Sequence, residues 1–522
     1  MPSEPMQRRT SFARLPGLLV VLATAAIALL LVAGEVGAQP EWPPRSYVPH
    51  VTRDGGLIGP DTTLGRCDTG VQTQNLSTDS TMMASIGFYP QDRREPSWLS
   101  SFPVAPLGST LYYLPTVDVP DGLSAAIVYA DQPAATIART DCVAGGKAAV
   151  YGQARPGPEV AVPLAVAHYY GQCSILTVQN PDTEESIEAR IELTRFATSD
   201  PEYTATEAIG PGTSVTLDLC ELRHPGDYPL LDFVGSAIVT AGGADVAVMS
   251  YVDITTSSMA LYAFEGVPTD AAANQLYAPL IRSRQQVRVG ASTGHMLDTG
   301  IAVVNPSDKP TDVYVRYYGA PGNPVCGGGY YEHNDDPVAV PAHSSVVFYQ
   351  GPAEQPLTGM HPLPEGCYGS AKIISDPEPV LAVVNDSLDM TATSAAYNAL
   401  SDDDAGTRIV LPLFRSGHTS WALYTGIMAM NTGNEVTDIT VTAYPSDGGT
   451  DDVVSATAHD VGVNETAAFW PGDFANAGWW GDSNRSYGSA IVTSEQPVVV
   501  VVNDWSLAGA ADPATYTGLK VE

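Results

Sequence analysis

One stretch of the chain has the residue types and spacing of a hydrolase nucleophile. Gly290, Ser292 and Gly294 satisfy the pattern G-x-S-x-G, and His295 follows directly. That chemistry requires a strand-to-helix turn that lifts the serine above a parallel sheet. The residues after His295 have the pattern of a β-strand instead, so we interpret the match as fortuitous and expect no catalytic serine here.

Other sequence signatures of catalysis are missing. The chain has no H-E-x-x-H motif, no P-loop and no G-x-G-x-x-G that opens a helix,. Its histidines follow no shared pattern. A pair of glycosidase carboxylates has no sequence signature of its own, so that chemistry stays open. We predict a protein that is not an enzyme, with no catalytic residue and no obligatory cofactor.

The cysteines have the spacing of disulfide partners rather than of metal ligands. None has C-x-x-C spacing or a histidine at zinc-finger spacing,. They fall two to a copy in the first three copies of the repeat described below, which favours Cys67 with Cys142, Cys173 with Cys220 and Cys326 with Cys367. A Cys142–Cys173 bridge between neighbouring copies is the open alternative. Disulfides indicate an oxidising compartment outside the cytoplasm.

An acidic turn is the candidate metal site. Asp402, Asp403 and Asp404 lie where the third copy meets the fourth. Clustered carboxylates and loop carbonyls can supply the oxygen ligands of Ca²⁺. The alternative is a solvated turn that keeps an acidic protein soluble. We predict no metal requirement, and Ca²⁺ at this turn is the metal hypothesis to test.

Tryptophans are concentrated in the last copy and form the candidate contact surface. Trp479 and Trp480 lie between two glycines, where both indoles cannot easily point inward. An exposed indole offers a flat apolar face to a sugar ring or a partner protein. The alternative is that these rings cover a β-sandwich that has no disulfide.

The elements that must position these residues are strands that recur in four copies. Each copy opens with a short apolar strand that contains proline, and a second strand ends in asparagine at Asn75, Asn180, Asn305 and Asn431. An asparagine side chain can stabilise the turn that follows it by bonding the next backbone groups. A closing strand carries a tyrosine that we align at Tyr151, Tyr262, Tyr397 and Tyr516.

This pattern predicts an all-β protein of four tandem antiparallel Greek-key β-sandwich domains, because each copy holds about seven short strands separated by turn residues. The predicted domains are residues 47–155, 156–267, 268–403 and 404–522. The copies resemble the immunoglobulin-like or fibronectin type III-like modules that repeat in bacterial secreted and cell-surface proteins. The immunoglobulin Cys-Trp-Cys signature is absent from every copy.

The N-terminus has the pattern of an export signal. Arg8, Arg9 and Arg14 precede an apolar run over residues 17–34, and small residues end at Ala38,. We interpret residues 1–38 as a signal peptide and residues 39–46 as a Pro-rich linker; a retained membrane anchor is the alternative. The formal net charge of −34 argues against nucleic acid and anionic membranes as partners,.

These features predict a secreted, extracellular protein of the cell surface with a structural or adhesive role. Its partners would be copies of itself, in a filament or surface layer, or other surface and matrix components. The repeats suggest a linear array, and the strand Tyr47–Pro49 is a candidate for donation to a neighbouring copy. The alternative function is glycan binding through Trp479 and Trp480.

Overall fold

The structure is a computed structural model. It describes residues 45–57, 65–91, 96, 98–142, 148–224, 227–254, 260–289, 292–332, 337–351, 363–388, 394–418, 423–446, 453–474, 487–506 and 514–521. The predicted signal peptide, most of the linker, Trp479 and Trp480 lie outside these residues. The described chain is all-β with antiparallel sheets, and none of it forms a helix that could cross a bilayer.

The first part of the chain, residues 45–152, is called segment 1. Its strands are β1 (Arg45–Arg53), β2 (Cys67–Asn75), β3 (Met82–Pro90), β4 (Trp98–Val104), β5 (Ser109–Tyr113), β6 (Gly122–Ala130), β7 (Ala134–Cys142) and β8 (Ala148–Gly152). They form an outer sheet β1-β6-β3-β4 and an inner sheet β5-β2-β7-β8. A 3-10 turn follows β5 at Leu114–Thr116.

Segment 2, residues 159–268, repeats this order. Its strands are β9 (Glu159–Tyr169), β10 (Gln172–Gln179), β11 (Ile187–Arg195), β12 (Tyr203–Ile209), β13 (Ser214–Asp218), β14 (Arg223–His224), β15 (Tyr228–Pro229), β16 (Phe233–Thr240), β17 (Ala247–Ile254), β18 (Ala260–Glu265) and β19 (Val267–Pro268). The outer sheet is β9-β16-β11-β12 and the inner sheet is β13-β10-β17-β18. β9 also pairs with β10, and β14 with β15.

Segment 3, residues 275–400, follows a 3-10 turn at Thr269–Ala271. Its strands are β20 (Gln275–Ser283), β21 (Gln285–Val289), β22 (Ser292–Val304), β23 (Thr311–Gly319), β24 (Tyr330–Glu332), β25 (Val338–Val340), β26 (Ser345–Tyr349), β27 (Cys367–Asp376), β28 (Leu381–Leu388) and β29 (Ser394–Asn398). The outer sheet is β20-β27-β23-β24, with β25 also on β23, and the inner sheet is β26-β22-β28-β29, with β21 also on β22.

Segment 4, residues 406–521, uses one long strand in both sheets. Its strands are β30 (Gly406–His418), β31 (Leu423–Asn431), β32 (Thr437–Pro445), β33 (Val454–Val461), β34 (Thr466–Phe469), β35 (Tyr487–Ser506), β36 (Ala514–Thr517) and β37 (Leu519–Lys520), with a 3-10 turn at Pro471–Asp473. The first half of β35 pairs with β30 and β32 in the outer sheet. Its second half pairs with β31 and β36 in the inner sheet.

Outer and inner sheets differ in how their residues are buried. Outer strands such as β23 and β32 alternate between buried and more exposed residues, as expected for a sheet with one solvated face,. The central inner strands are buried on both faces: Val498 to Val502 of β35 are all fully buried. A continuous apolar run suits such a strand because neither face meets water. The inner strand β2 is also buried but carries polar residues, and its Gln72 and Thr73 have hydrogen-bond partners,. At the edge of an inner sheet, β5 keeps exposed residues.

The second face of each inner sheet packs on a neighbouring segment. Each apolar core is completed by two or more side chains of another segment: Met249 and Tyr251 in the core of segment 1, Ala302 and Val383 in that of segment 2, Met428 and Val501 in that of segment 3, and Ile137 and Val150 in that of segment 4. The closing strands follow the same cycle, since β8 contacts β18, β18 contacts β29, β29 contacts β36 and β36 contacts β8.

The four segments therefore form a closed ring of contacts, and the linear array suggested by the repeats is wrong. A linear array has no contact between its first and last members. Here Gln72 Nε2 of segment 1 donates to the Pro412 carbonyl of segment 4 at 2.7 Å. The Ser489 hydroxyl of segment 4 donates to the Leu107 carbonyl of segment 1 at 2.9 Å.

The turn role predicted for the repeated asparagines is confirmed. All four are fully buried: Asn75, Asn180, Asn305 and Asn431. Each side-chain oxygen accepts the N–H two residues later at 2.9–3.0 Å. Each side-chain nitrogen donates to the backbone carbonyl four or five residues later, at 2.7–2.8 Å. An asparagine side chain thus stabilises the equivalent turn in each of the four segments.

The alignment of Tyr262 with the other closing-strand tyrosines is wrong. The hydroxyls of Tyr151, Tyr397 and Tyr516 each donate to a backbone carbonyl of their segment's first strand. Tyr397 pairs with Val384, but the matching pair in segment 2 is Phe264 with Ser250. Phenylalanine has no hydroxyl, so segment 2 does not make this bond.

Three disulfides tie strands within segments 1, 2 and 3. They are Cys67–Cys142, Cys173–Cys220 and Cys326–Cys367, with Cα–Cα distances of 4.0, 5.7 and 5.6 Å. These are the pairs that the repeat pattern favours, and Cys142 does not bridge to Cys173. Disulfides of this kind indicate a compartment outside the cytoplasm.

Candidate functional site

One hydroxyl position recurs in every segment, on the strand that leads to the repeated asparagine. Its oxygen accepts an N–H from the first strand at 2.9–3.0 Å, in the pairs Thr52 with Thr69, Val166 with Ser174, Arg282 with Thr299 and Arg415 with Thr425. The residue directly across the inner sheet from this hydroxyl differs: it is Thr140, Val252, Asp386 and Asp504 in segments 1 to 4. The four equivalent sites can therefore be compared residue by residue.

Segment 4 uses its site for a buried ionic network. Asp504 accepts hydrogen bonds from the Thr425 hydroxyl at 3.0 Å and from Arg415 Nη1 at 2.9 Å. Arg139 of segment 1 adds a third contact at 3.4 Å. Burial lowers the pKa of Arg415, and the charge of Asp504 opposes that shift. The network joins the last segment to the first.

Segment 3 repeats the network within itself. Asp386 bonds Arg282 and the Thr299 hydroxyl, and all three side chains are buried. Burial lowers the pKa of Arg282 to about 10. In segment 1 the same site is neutral: the Thr140 hydroxyl lies 2.9 Å from that of Thr69 and 2.8 Å from that of Tyr251 in segment 2.

Segment 2 has no such network, and a cleft lies beside the site instead. Val166 and Val252 occupy the positions of Arg415 and Asp504. The cleft has a volume of about 100 Å³ and lies between segments 2 and 3. Its lining residues include Tyr169, Tyr170, Gln172, Tyr349, Asn385 and Ser387. None of the described side chains that line it is charged.

Two adjacent tyrosines form the lip of the cleft. Tyr169 pairs with Gln172 across the tight β9–β10 turn. Tyr170 and Gly171 occupy this turn with φ of 48° and 73°. A left-handed conformation is uncommon for a bulky residue, although it suits the tight turn of a hairpin. The turn leaves Tyr170 57% exposed, with its ring edge-on to Tyr169 at 4.6 Å between centroids.

Polar groups lie deeper in the cleft. The Tyr262 hydroxyl donates to Gln172 Oε1 at 3.4 Å. The Tyr349 hydroxyl bonds Ser387. Asn385 lies across the sheet from Gly300, at the position that Arg139 occupies opposite Gly70 in segment 1. The cleft thus combines aromatic faces with neutral donors and acceptors.

A second, smaller cavity of about 60 Å³ is lined by residues of all four segments. Glu265 at the end of β18 is partly buried there and receives hydrogen bonds from the Gly152 N–H and from Asn398 Nδ2. Burial raises the pKa of Glu265. Arg155, in the connection between segments 1 and 2, also lines this cavity and pairs with Asp404 at 2.5 Å.

The structure does not bring the three acids of the calcium hypothesis together. Asp402 accepts a hydrogen bond from the Tyr277 hydroxyl at 2.8 Å, and Asp404 pairs with Arg155 and with the Ser401 N–H. Burial opposes ionisation of Asp404, but Arg155 outweighs it and lowers the pKa. Within the described chain, the only group with metal-like spacing is His168, Cys173 and Cys220, and its two sulfurs form a disulfide.

The serine motif and the paired tryptophans do not form a site in the described chain. Ser292 and His295 lie in β22, which continues an antiparallel hairpin with β21 and not a strand-to-helix turn. Trp479 and Trp480 lie outside the described residues. Sequence reasoning missed the cleft, whose available signal was the adjacent pair Tyr169-Tyr170 before a glycine in a predicted tight turn.

No protein-family model matches this chain, and no curated protein matches it. Among solved structures, the major pilin of Streptococcus pyogenes is 9% identical, with 60% of this chain and 97% of the pilin covered and a TM-score of 0.12. A glycoside hydrolase family 32 structure from Bifidobacterium adolescentis is 8% identical, with 89% and 100% covered and a TM-score of 0.14. Scores this low do not establish a shared fold.

Proposed function

We propose that this chain is a non-enzymatic, secreted protein with a structural or adhesive role at the cell surface, and that its segments are four immunoglobulin-like domains that follow a cleaved signal peptide. The observation that carries the proposal is the closed ring in which each core is completed by another segment. No segment can leave this ring without exposing apolar side chains to water. Such a body keeps its surfaces in fixed relative positions.

The disulfides support the same proposal. Each of the three closes a loop within one segment and stabilises it by about 2–4 kcal/mol,. An extracellular structural protein benefits because it is exposed to proteases and has no chaperones to refold it.

Self-association through sheet edges is one form that the structural role can take. β4 and β12 are the terminal strands of their outer sheets. A terminal strand has a row of backbone groups that can pair with another chain. The strand Tyr47–Pro49 is less suited to donation, because β1 pairs with β6 of its own segment.

Two measurements test the proposal. Surface biotinylation of the producing cells, followed by mass spectrometry, should label the chain and find its N-terminus near residue 39. Negative-stain microscopy of the purified chain, with calcium and with chelator, should show either uniform compact particles or ordered assemblies of them. A chain confined to the cytoplasm with free thiols would contradict the proposal. So would rods of four separated beads, because the ring would then be open.

A further inference from the structure

We propose that the cleft between segments 2 and 3 binds one neutral sugar ring of a surface or matrix polysaccharide, with Tyr169 and Tyr170 as the stacking face and Gln172, Asn385 and Ser387 as hydrogen-bonding groups. This inference deepens the proposed adhesive role and rests on it only for the location of the ligand outside the cell.

Tyr170 is exposed at the lip of the cleft. An aromatic ring that is 57% exposed gains little from folding, and its turn holds it with φ of 48°,. The ring faces of tyrosine are apolar, while its hydroxyl is polar, so the side chain suits ligands with one apolar face and a polar rim. The C–H face of a pyranose ring and its surrounding hydroxyls have this character.

The charge of this interface differs from that of its counterpart. At the equivalent place between segments 4 and 1, Arg139, Arg415 and Asp504 fill the interface with an ionic network. Between segments 2 and 3, Asn385 and Val166 stand at the positions of Arg139 and Arg415, and none of the described side chains that line the cleft is charged. The lining side chains therefore offer no direct ion pair to a charged ligand, and the net charge of −34 repels anions,.

The volume of the cleft and the chemistry of its lining also suit a sugar ring. A volume of about 100 Å³ holds several water molecules but is small for a drug-sized ligand,. A single ring inserted from the lip fits this volume better than a folded peptide segment. The neutral amides of Gln172 and Asn385 and the Ser387 hydroxyl can each donate and accept, which suits sugar hydroxyls.

The experiment is affinity electrophoresis of the full chain in gels that contain dextran, galactomannan, xylan or, as an anionic probe, hyaluronan. We expect retardation by at least one neutral polysaccharide and none by hyaluronan. Tyr170→Ala should weaken the retardation at least tenfold, whereas Tyr170→Phe should retain it. Tyr228→Ala, at an exposed tyrosine on β15 of the same segment, is the matched control and should bind like the unmodified chain.

A second variant tests the cleft without removing an aromatic ring. Asn385→Arg gives the cleft the arginine that Arg139 supplies at the equivalent position between segments 4 and 1. This variant should abolish retardation while the circular dichroism spectrum is unchanged. The proposal is overturned if no neutral polysaccharide is bound, if hyaluronan or an unstructured peptide competes equally well, or if Tyr170→Ala behaves like Tyr228→Ala. Loss of binding with normal surface labelling would leave the adhesive role standing, so the two failures are distinguishable.

Discussion

Segments 2 and 4 have the same strand order but use one equivalent site in opposite ways. In segment 4 the site holds Asp504 between Arg415 and Arg139, and this ionic network joins the last segment to the first. In segment 2 the site holds Val252 and Val166, and a cleft lies beside it. Backbone hydrogen bonding at the site is the same, because Ser174 and Thr425 both accept the first-strand N–H.

This difference shows that the repeat fixes the backbone and leaves the side chains free to diverge. A buried ion pair is weak evidence for net stability, but a buried charge deprived of its partner is costly. The network therefore favours the one arrangement in which all three charged groups meet. An apolar site imposes no such demand, so the neighbouring surface can form a cleft.

Removing Asp504 should have the largest effect on stability. Asp504→Ala leaves the buried Arg415 without its hydrogen-bonded counter-charge, whereas Arg139 keeps Asp141 as a partner at 2.8 Å. We expect a loss of about 3–5 kcal/mol in the free energy of unfolding. Val252→Ala at the equivalent site of segment 2 should cost about 2 kcal/mol, as a lost apolar contact. Urea unfolding followed by circular dichroism measures both. Equal losses would mean that the charge network adds nothing to its site.

Arg139→Asn should have a smaller effect. The substitution places an asparagine at the interface of segments 4 and 1, as Asn385 is placed at the interface of segments 2 and 3. Asp504 keeps Arg415 and Thr425 as partners. We expect a loss of about 1.5–3 kcal/mol, the contribution of a hydrogen bond to a charged group. Arg190→Asn is a suitable control, because Arg190 forms an exposed pair with Glu192 within one strand. Urea unfolding of this control should differ little from that of the unmodified chain.

Glu265→Gln should change how stability depends on pH. Segment 2 places a carboxylate at the cavity where all four segments meet, and segment 4 places Thr517 there. Because burial raises its pKa, the folded state binds the Glu265 proton more tightly than the unfolded state,. Stability is therefore lost as pH rises from the unfolded pKa through the folded one. The glutamine variant lacks this loss, so its stability relative to the unmodified chain should increase from pH 4 to pH 7.5.

Thermal unfolding at several pH values measures that difference. Arg155 and Asp404 also ionise near the cavity, so Asp404→Asn serves as a control. Arg155 holds the pKa of Asp404 below its usual range, and this carboxyl therefore stabilises the folded state at neutral pH and loses that effect in acid,. The two variants should shift the pH profile in opposite directions; parallel profiles would contradict the assignment for Glu265.

Tyr170→Ala should have the smallest effect on stability. The ring is exposed and its turn is supported by Gly171, so we expect a change within about 0.5 kcal/mol,. The substitution does not relieve backbone strain at residue 170, because alanine also disfavours the left-handed conformation. A loss above 2 kcal/mol in urea would show that Tyr170 is a packing residue and would weaken its assignment to a binding role.

The sequence by itself determined the strands, the repeat and the turns. Proline-containing first strands, strand-ending asparagines and period-2 outer strands are local patterns, and their physical causes act within a few residues. The cysteine pairs follow from the same repeat. The equivalence of Tyr151, Tyr397 and Tyr516 was also readable, but Tyr262 was misaligned because its strand differs by two residues from the others.

Only the tertiary structure decided how the segments meet. The fully apolar run Val498 to Val502 signals an inner strand buried on both faces, yet it does not say which surface covers the second face,. The ring brings together Arg139 and Asp504, which are 365 residues apart. It also creates the cleft from Tyr170 and Asn385, whose distant positions share no local pattern. Contacts of this kind depend on how whole sheets pack, and packing is a property of surfaces that no short stretch of sequence contains.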